Sequence, residues 1–228
     1  MRNTAAAAAA SAGHAVASVE TSRRGDSASD AAAPAIRKRP KPGERRLQIL
    51  QALAAMLEQP GGERVTTAAL AARLEVSEAA LYRHFASKAQ MFEGLIDFIE
   101  KTVFTLVNQI VERDPPGSEQ AARIVAMLMQ FAEKNPGMTR VMVGDALVYE
   151  NERLQSRMNH FFDKLEAVMR NALRQSAADG GSAVPSVDAK VRAAVLTAFM
   201  VGRIQRFARS GFRLAPTDNL EAATALML

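Results

Sequence analysis

Apolar residues recur every three or four positions along almost the whole chain beyond residue 43, and this helical period constrains the fold more than any other feature of the sequence. No segment alternates with period two for long enough to predict a strand. Proline and glycine interrupt the pattern and separate the helices. The predicted helices cover residues 44–58, 67–74, 78–85, 88–113, 118–134, 138–148, 151–176 and 187–210, with a last short helix that begins near Thr217 or Asp218. The predicted fold class is therefore all-α.

The composition excludes several classes of protein. The chain has no cysteine, which excludes disulfides, thiolate metal sites, iron–sulfur clusters and cysteine nucleophiles. An apolar fraction of 48% in 228 residues is enough for one or two folded domains. No window of about 18 uninterrupted apolar residues occurs, so no membrane span is predicted. We expect a cytoplasmic protein with no membrane partner.

The positive charge is concentrated at the start of the chain. The formal net charge is +5, and the first 46 residues, with nine basic and four acidic side chains, hold all of it. Residues 1–42 are mostly alanine, serine, glycine, proline and charged residues, which predicts a disordered extension. The basic run at 37–46 is either a flexible tail without a target or an arm that reaches DNA phosphates or a minor groove beside the bound site.

Residues 43–88 have the pattern of a helix-turn-helix domain, and residues 89–228 form a larger helical body. Small side chains at Ala68, Ala71 and Ala72 allow two helices to cross closely, and Ser77 is placed to cap the second helix after a three-residue turn. The apolar residues of this unit are Leu70, Leu74, Val76 and Leu81. In the turn, Glu75 stands at a position that often requires a positive φ.

The second helix of this unit is the predicted DNA-reading element. Leu81 and Phe85 face inward, and the opposite side faces a major groove. The predicted base-facing residues are Ser77, Glu78, Ala79, Tyr82 and Arg83. The predicted phosphate contacts are Arg64, Thr66, Thr67, Tyr82, His84 and Lys88, which fix the register on DNA without reading its sequence.

The segment Val76-Ser-Glu-Ala-Ala-Leu-Tyr-Arg-His-Phe-Ala-Ser-Lys88 resembles the DNA-binding signature of the TetR family of bacterial regulators. In that family the signature ends in a Ser-Lys pair that caps the fourth helix. The resemblance implies a homodimer that binds palindromic double-stranded DNA, with residues 78–85 of each protomer in one major groove. Glu75 departs from the family pattern, which has a glycine there.

Three further segments, at 135–140, 146–155 and 216–218, resemble the nucleoid-occlusion members of the same family. This resemblance implies a nucleoid-associated protein that inhibits ring assembly by the tubulin-like division protein FtsZ. It further implies that the C-terminal tail of FtsZ binds in a groove between the fourth and fifth helices. The matching positions are Phe98, Leu106, Met127, Gln130, Lys134 and Asn135. Leu106 stands where those members have an arginine, and Gln130 where they have a glycine.

Helical geometry gives this groove partial support. Phe98 lies about 120° from the centre of the apolar stripe of its helix, so it either packs against a neighbouring helix or is exposed in the groove. Met127, Gln130 and Lys134 lie beside the apolar stripe of the next helix. An aromatic and a methionine rimmed by a lysine suit a short apolar peptide with acidic groups.

Two other functions remain open on the sequence. The methionine- and phenylalanine-rich stripes of the body either form plain core or line an inducer cavity, as in a ligand-responsive TetR-type transcriptional repressor. His160, Asp163 and Glu166 form either a metal-binding face or a solvated helix face. The chain has no nucleophile elbow and no phosphate loop, so we expect no enzyme and no cofactor. Dimerisation is predicted to use residues 187–210 together with the preceding long helix.

Overall fold

The structure is a computed structural model that describes residues 43–59, 64–148 and 150–228. The predicted extension at 1–42 lies outside these ranges. The helices are α1 Glu44–Leu57, α2 Thr67–Arg73, α3 Glu78–Tyr82, α4 Lys88–Arg113, α5 Ser118–Lys134, α6 Pro136–Val143, α7 Glu152–Asp179, α8 Pro185–Arg209 and α9 Leu220–Ala225, with a 3₁₀ turn at Asp145–Leu147. The described ranges contain no strand, and the predicted all-α class is confirmed.

The helices α4 and α5 begin and end where the sequence predicts. Ser87 caps α4 because its hydroxyl accepts a hydrogen bond from the amide of Gln90 at 3.2 Å. The Gln90 side chain accepts in turn from the amide of Ala86 at 2.9 Å, so the predicted reciprocal cap is present with its return bond one residue earlier than the usual position. Both ends of α4 and of α5 agree with the predicted ranges.

The predicted helix at 138–148 is wrong at both ends. It begins earlier, at Pro136, because proline suits the first turn, where no backbone donor is required. It ends at Val143 because Gly144 adopts a left-handed conformation with a φ of 82°, and a 3₁₀ turn follows.

Other predicted boundaries also differ. The helix predicted at 78–85 ends at Tyr82, since the chain turns there and the amides of His84 and Phe85 both bond to the carbonyl of Leu81. The helix α7 continues to Asp179, and α8 begins at Pro185, which again occupies a first-turn position. The last helix begins at Leu220 rather than near Thr217, after a turn at residues 216–219.

The core lies among α4, α5, α7 and α8, with α1 and α6 packed on one side of it. Fully buried aliphatic and aromatic side chains line the facing sides of these helices, among them Ile99, Val103, Leu128, Phe161 and Leu196. Phe161 makes edge-to-face contacts with the rings of Phe104 and Phe162 at centroid distances of 5.6 and 5.1 Å. This packing gives the body a filled apolar centre.

Candidate nucleic-acid interface and partner surface

The helix-turn-helix unit is held by two helix caps and a small apolar centre. Thr66 caps α2 by accepting a hydrogen bond from the amide of Ala69 at 3.1 Å, and Ser77 caps α3 by accepting from Ala80 at 3.3 Å. The centre consists of Leu70, Leu81 and Phe85, each 1% exposed. The inward orientation predicted for the last two residues is therefore confirmed.

The turn between α2 and α3 contains the left-handed residue that the sequence indicated. Glu75 has a φ of 54°. This conformation costs a residue other than glycine on the order of 1 kcal/mol, which the packing of the two helices offsets. The amides of Glu75 and Val76 both bond back to α2, so the turn keeps its hydrogen bonds without a glycine.

The outer side of α3 is open to solvent. The exposed residues are Ser77, Glu78, Ala79, Tyr82 and Arg83, which are the five residues with predicted base contacts. Tyr82 is 44% exposed although it is aromatic. A short helix that buries only Leu81 and leaves polar and aromatic groups on one side has the shape of a recognition helix.

Two of the predicted DNA contacts bind each other. The hydroxyl of Thr67, at the start of α2, donates a hydrogen bond of 2.6 Å to the carboxylate of Glu78, at the start of α3. This bond fixes the direction of the Glu78 side chain. Among the charged residues on the outer side of α3, Arg83 is then the only cation.

Lys88 is engaged with the body of the protein. Its ammonium lies 2.5 Å from the Oε1 atom of Glu150, whose side chain is only 10% exposed. It also lies 5.7 Å from the centre of the Phe92 ring. A phosphate contact by Lys88 would therefore compete with this ion pair. Arg64 and Thr66 are exposed, and His84 is half-buried.

A contact that local sequence patterns did not indicate fixes the end of α3. The guanidinium of Arg46, in α1, donates to the carbonyl of His84. The same group lies 4.1 Å from the centre of the Phe85 ring. Arg46 belongs to the basic run that the sequence analysis linked to DNA, yet its position here supports the helix-turn-helix unit.

Gly137 joins the helix-turn-helix unit to the body. It lies in the first turn of α6, so close to α1 that a Cβ atom at this position would lie 2.1 Å from the carbonyl oxygen of Ala54. Glycine therefore allows the two helix backbones to touch. This contact sets the position of α1 against the body.

The residues with predicted partner contacts occupy different environments. Phe98 is 43% exposed on α4, Lys134 is exposed on α5, and Met127 and Leu106 are half-buried. Gln130 contributes to a separate concavity of about 930 Å³ between α5 and α9. The side-chain amide of Asn135 donates to the carbonyl of Phe131 at 2.7 Å and so supports the end of α5.

Ion pairs hold α4 on either side of Phe98. The guanidinium of Arg157, in α7, lies 2.6 Å from a carboxylate oxygen of Asp97 and 2.6 Å from one of Glu100. Burial opposes the charge of Arg157, but its hydrogen bonds to both carboxylates outweigh burial and raise its pKa. Phe98 is thus presented on a fixed helix.

Two further features were considered on the sequence, a metal-binding face on α7 and a membrane span. The Nδ1 atom of His160 lies 2.9 Å from the carbonyl oxygen of Ser156, one turn earlier in α7. Within residues 43–59, 64–148 and 150–228, no group of three acidic, histidine or cysteine side chains is arranged to hold a metal ion. In the same ranges no helix is long and apolar enough to cross a membrane.

One face of α8 carries an exposed row of valines. Val187, Val191 and Val195 are 56%, 57% and 48% exposed and follow one another at intervals of four residues. Such a row on one helix face is typical of an interface between subunits.

Replacing Val191 and Val195 together by aspartate should convert the dimer to monomers at micromolar protein concentration, because four carboxylates per dimer would have to be buried. Sedimentation equilibrium measures this directly. The matched control is the same pair of changes at Val111 and Val148, which are exposed outside α8. An unchanged dimer would place the subunit interface elsewhere.

Comparisons with known proteins agree with this arrangement. The family model described as bacterial regulatory proteins of the tetR family matches residues 49–95. The SlmA-like model, described as a tetracyclin repressor-like C-terminal domain, matches residues 119–228. The structure of the fatty acid degradation regulator FadR from Bacillus halodurans superposes with a TM-score of 0.65 at 14% identity, covering 81% of this chain and 95% of that one. This likeness concerns the fold alone.

Closer relatives are found among curated sequences. The nucleoid occlusion factor SlmA of Vibrio vulnificus (strain YJ016) is 47% identical over 188 residues, which cover 82% of this chain and 95% of the relative. The protein of the same name from Aliivibrio fischeri (strain MJ11) is 47% identical over 189 residues, with 82% and 96% covered. The chain is a dimerising DNA-binding protein that belongs to the TetR family, and within it to the SlmA group.

Proposed function

We propose that this protein is a nucleoid occlusion factor of the bacterial cytoplasm. A homodimer binds palindromic sites on the chromosome and, while bound, holds the C-terminal tail of FtsZ, so that ring assembly is inhibited over the nucleoid. The observation that carries the proposal is Phe98, which is 43% exposed on α4, away from the buried apolar stripe of that helix. An exposed aromatic of this size on a fixed helix suits a partner.

DNA recognition in this proposal rests on α3. Tyr82 and Arg83 lie on its exposed side, and a guanidinium can bond to two acceptors of a guanine at once. Thr66 and Thr67, at the start of α2, contact phosphates and fix the register, Thr67 only when its hydroxyl leaves Glu78. Lys88 joins them only when it leaves Glu150.

Tail recognition rests on three side chains of α4 and α5. Phe98 and Met127 offer apolar contact, and Lys134, which has no acidic partner in the described part of the chain, offers a positive charge to acidic groups of the tail. Asn135 supports the end of α5 beside Lys134. Leu106 and Gln130 differ from the residues that the SlmA pattern has at these positions. In this proposal they change the selectivity for the tail, and the site itself is formed by the other residues.

The interior of the body favours this proposal over a ligand-responsive repressor. Its three buried polar side chains, those of Gln120, Thr139 and Thr224, all donate to backbone carbonyls at 2.6, 2.8 and 2.9 Å. An inducer site would instead direct such groups into an enclosed cavity. Most buried methionines and phenylalanines of the body belong to one continuous cluster of apolar side chains.

Changing Phe98 to alanine, or Lys134 to glutamate, should weaken binding of a synthetic FtsZ tail peptide by about tenfold or more, because each removes a contact of one to a few kcal/mol. Fluorescence anisotropy with labelled peptide measures this. Neither change should alter DNA affinity.

Two control variants make comparable changes at other exposed positions. Val111→Ala removes an apolar side chain that is 42% exposed on the same helix as Phe98. Lys164→Glu makes the same charge reversal at an exposed position of α7. Equal binding by variants and controls would remove the groove from the proposal. A wild-type protein that binds no tail peptide would favour the repressor function.

A further inference from the structure

The end of α8 carries an unusual density of positive charge. The four arginines between residues 203 and 213 have no acidic residue among them, and the next acidic residue along the chain is Asp218. The residues beyond 46 have no net charge in total, so this concentration is local. We call Arg206, Arg209 and Arg213, all exposed in the single protomer, the α8-end arginine cluster; the first two lie at the end of the segment 187–210 predicted for dimerisation.

Arg203 differs from the other three because it has a structural role. Its guanidinium donates to the carbonyl oxygens of Pro216 and Asp218 and lies 4.8 Å from the centre of the Phe199 ring. It therefore holds the segment that follows α8 against the helix. The three arginines of the cluster form no ion pair with a carboxylate in the part of the chain that the structure describes.

Aromatic packing stabilises the turn that follows α8 and carries Arg213. Gly211 and Phe212 are both left-handed, with φ values of 63° and 64°, which is rare for phenylalanine. The Phe212 ring packs edge-to-face on Phe207 at 5.2 Å, and the guanidinium of Arg140 lies 5.1 Å from its centre. This packing holds the backbone in a costly conformation, which is a feature often found at binding surfaces.

Hydrogen bonds also fix the last arginine of the cluster. The hydroxyl of Ser210 accepts from the amide of Arg213 at 3.0 Å, and the Nε atom of Arg213 donates to the carbonyl of Ser210 at 2.9 Å. These two hydrogen bonds fix the direction in which the Arg213 side chain leaves the backbone. Arg206 and Arg209, three residues apart, lie on one side of α8. Like charges at this spacing repel one another, and no ion pair to a carboxylate offsets this repulsion in the part of the chain that the structure describes.

The cluster adjoins the DNA-binding unit. Arg209 and Phe212 line a concavity of about 550 Å³ together with two acidic residues, Asp145 and Glu58, the latter following α1 directly. In the helix-turn-helix unit itself, Lys88 is paired with Glu150 and Arg46 is bound to the carbonyl of His84. The three exposed arginines at the end of α8 are therefore better placed to bind an external anion than these two cations.

We propose that the α8-end arginine cluster is a second DNA-contact surface that binds phosphate groups of the duplex outside the palindromic site. Duplex DNA suits it because the protein already binds DNA and because guanidinium groups pair with phosphate oxygens. The contact carries no sequence information. This proposal rests only on DNA binding by the protein and does not depend on binding of FtsZ.

The test uses the full-length protein with Arg206, Arg209 and Arg213 all changed to glutamine. The control changes Lys101, Lys164 and Arg170 to glutamine, which removes the same charge from exposed positions of α4 and α7. The DNA is a site that the wild-type protein selects from random duplexes, placed either in a minimal duplex or with about 20 flanking base pairs on each side. Dissociation constants are measured over a range of salt concentrations.

The cluster variant should lose about tenfold or more affinity for the long duplex, and the slope of log affinity against log salt should become shallower by roughly 2 or more per dimer. Affinity for the minimal duplex should match that of the control. A slope equal to that of the control on the long duplex would overturn the proposal. So would an equal loss on both duplexes, which would place the effect in the recognition helices, or a change in the dimer mass.

Discussion

Replacing Tyr82 and Arg83 by alanine should abolish sequence-specific DNA binding, with a loss of affinity of about 100-fold or more, and leave the dimer intact. Both side chains lie on the exposed side of α3, and Leu81, which holds the helix in place, is unchanged. A base contact of this kind contributes roughly 1–3 kcal/mol to discrimination, and each dimer loses two sets. Footprinting on a selected site and sedimentation of the free protein measure the two outcomes.

The control for this variant is Arg170→Ala, which removes an exposed arginine of α7. It should keep both the footprint and the dimer. Undiminished protection of the selected site by the Tyr82 and Arg83 variant would refute the assignment of α3 as the recognition helix.

Changing Gly137 to alanine should lower the free energy of unfolding by about 2 kcal/mol or more, because the added methyl group would overlap the carbonyl oxygen of Ala54. Backbone atoms cannot rotate away, so α1 and α6 must move apart. Since α1 carries the contact of Arg46 to the end of α3, DNA affinity should fall as well. Denaturant unfolding at a fixed protein concentration measures the first effect.

Gly202→Ala is the matched control. It adds the same methyl group to the interior of α8, where no atom of the protomer lies within 4 Å of the new Cβ position. Because Gly202 lies in the segment predicted for dimerisation, sedimentation must first show that this variant keeps the dimer mass. Alanine is the better helix former, so this variant should gain up to roughly 1 kcal/mol. If the two variants unfold at the same denaturant concentration, Gly137 does not join the DNA-binding unit to the body in the way described.

Local signals in the sequence were sufficient for much of the fold. The Ser87 and Gln90 pair marked the start of α4, and the helical period marked its buried side. The position of Phe98 away from that side followed from the same geometry. Glu75 was expected at a left-handed position because the family that the signature resembles has a glycine there.

Local sequence signals could not predict contacts between residues that lie far apart along the chain. The local sequence around Lys88 predicts a phosphate contact. Its ion pair with Glu150 instead depends on how the 3₁₀ turn and α7 follow α6. Gln130 lines a concavity together with residues of α9, which no pattern within α5 could indicate. The left-handed conformation of Phe212 is stabilised by Phe207 and Arg140 and has no local sequence signal.

Genome-wide mapping of the bound sites in the native host tests the central proposal most directly. A nucleoid occlusion factor should occupy many palindromic sites spread over the chromosome, and these sites should be missing near the replication terminus, where the division ring must form. Occupancy of only one or two promoters would contradict the proposal and identify the protein as a local repressor.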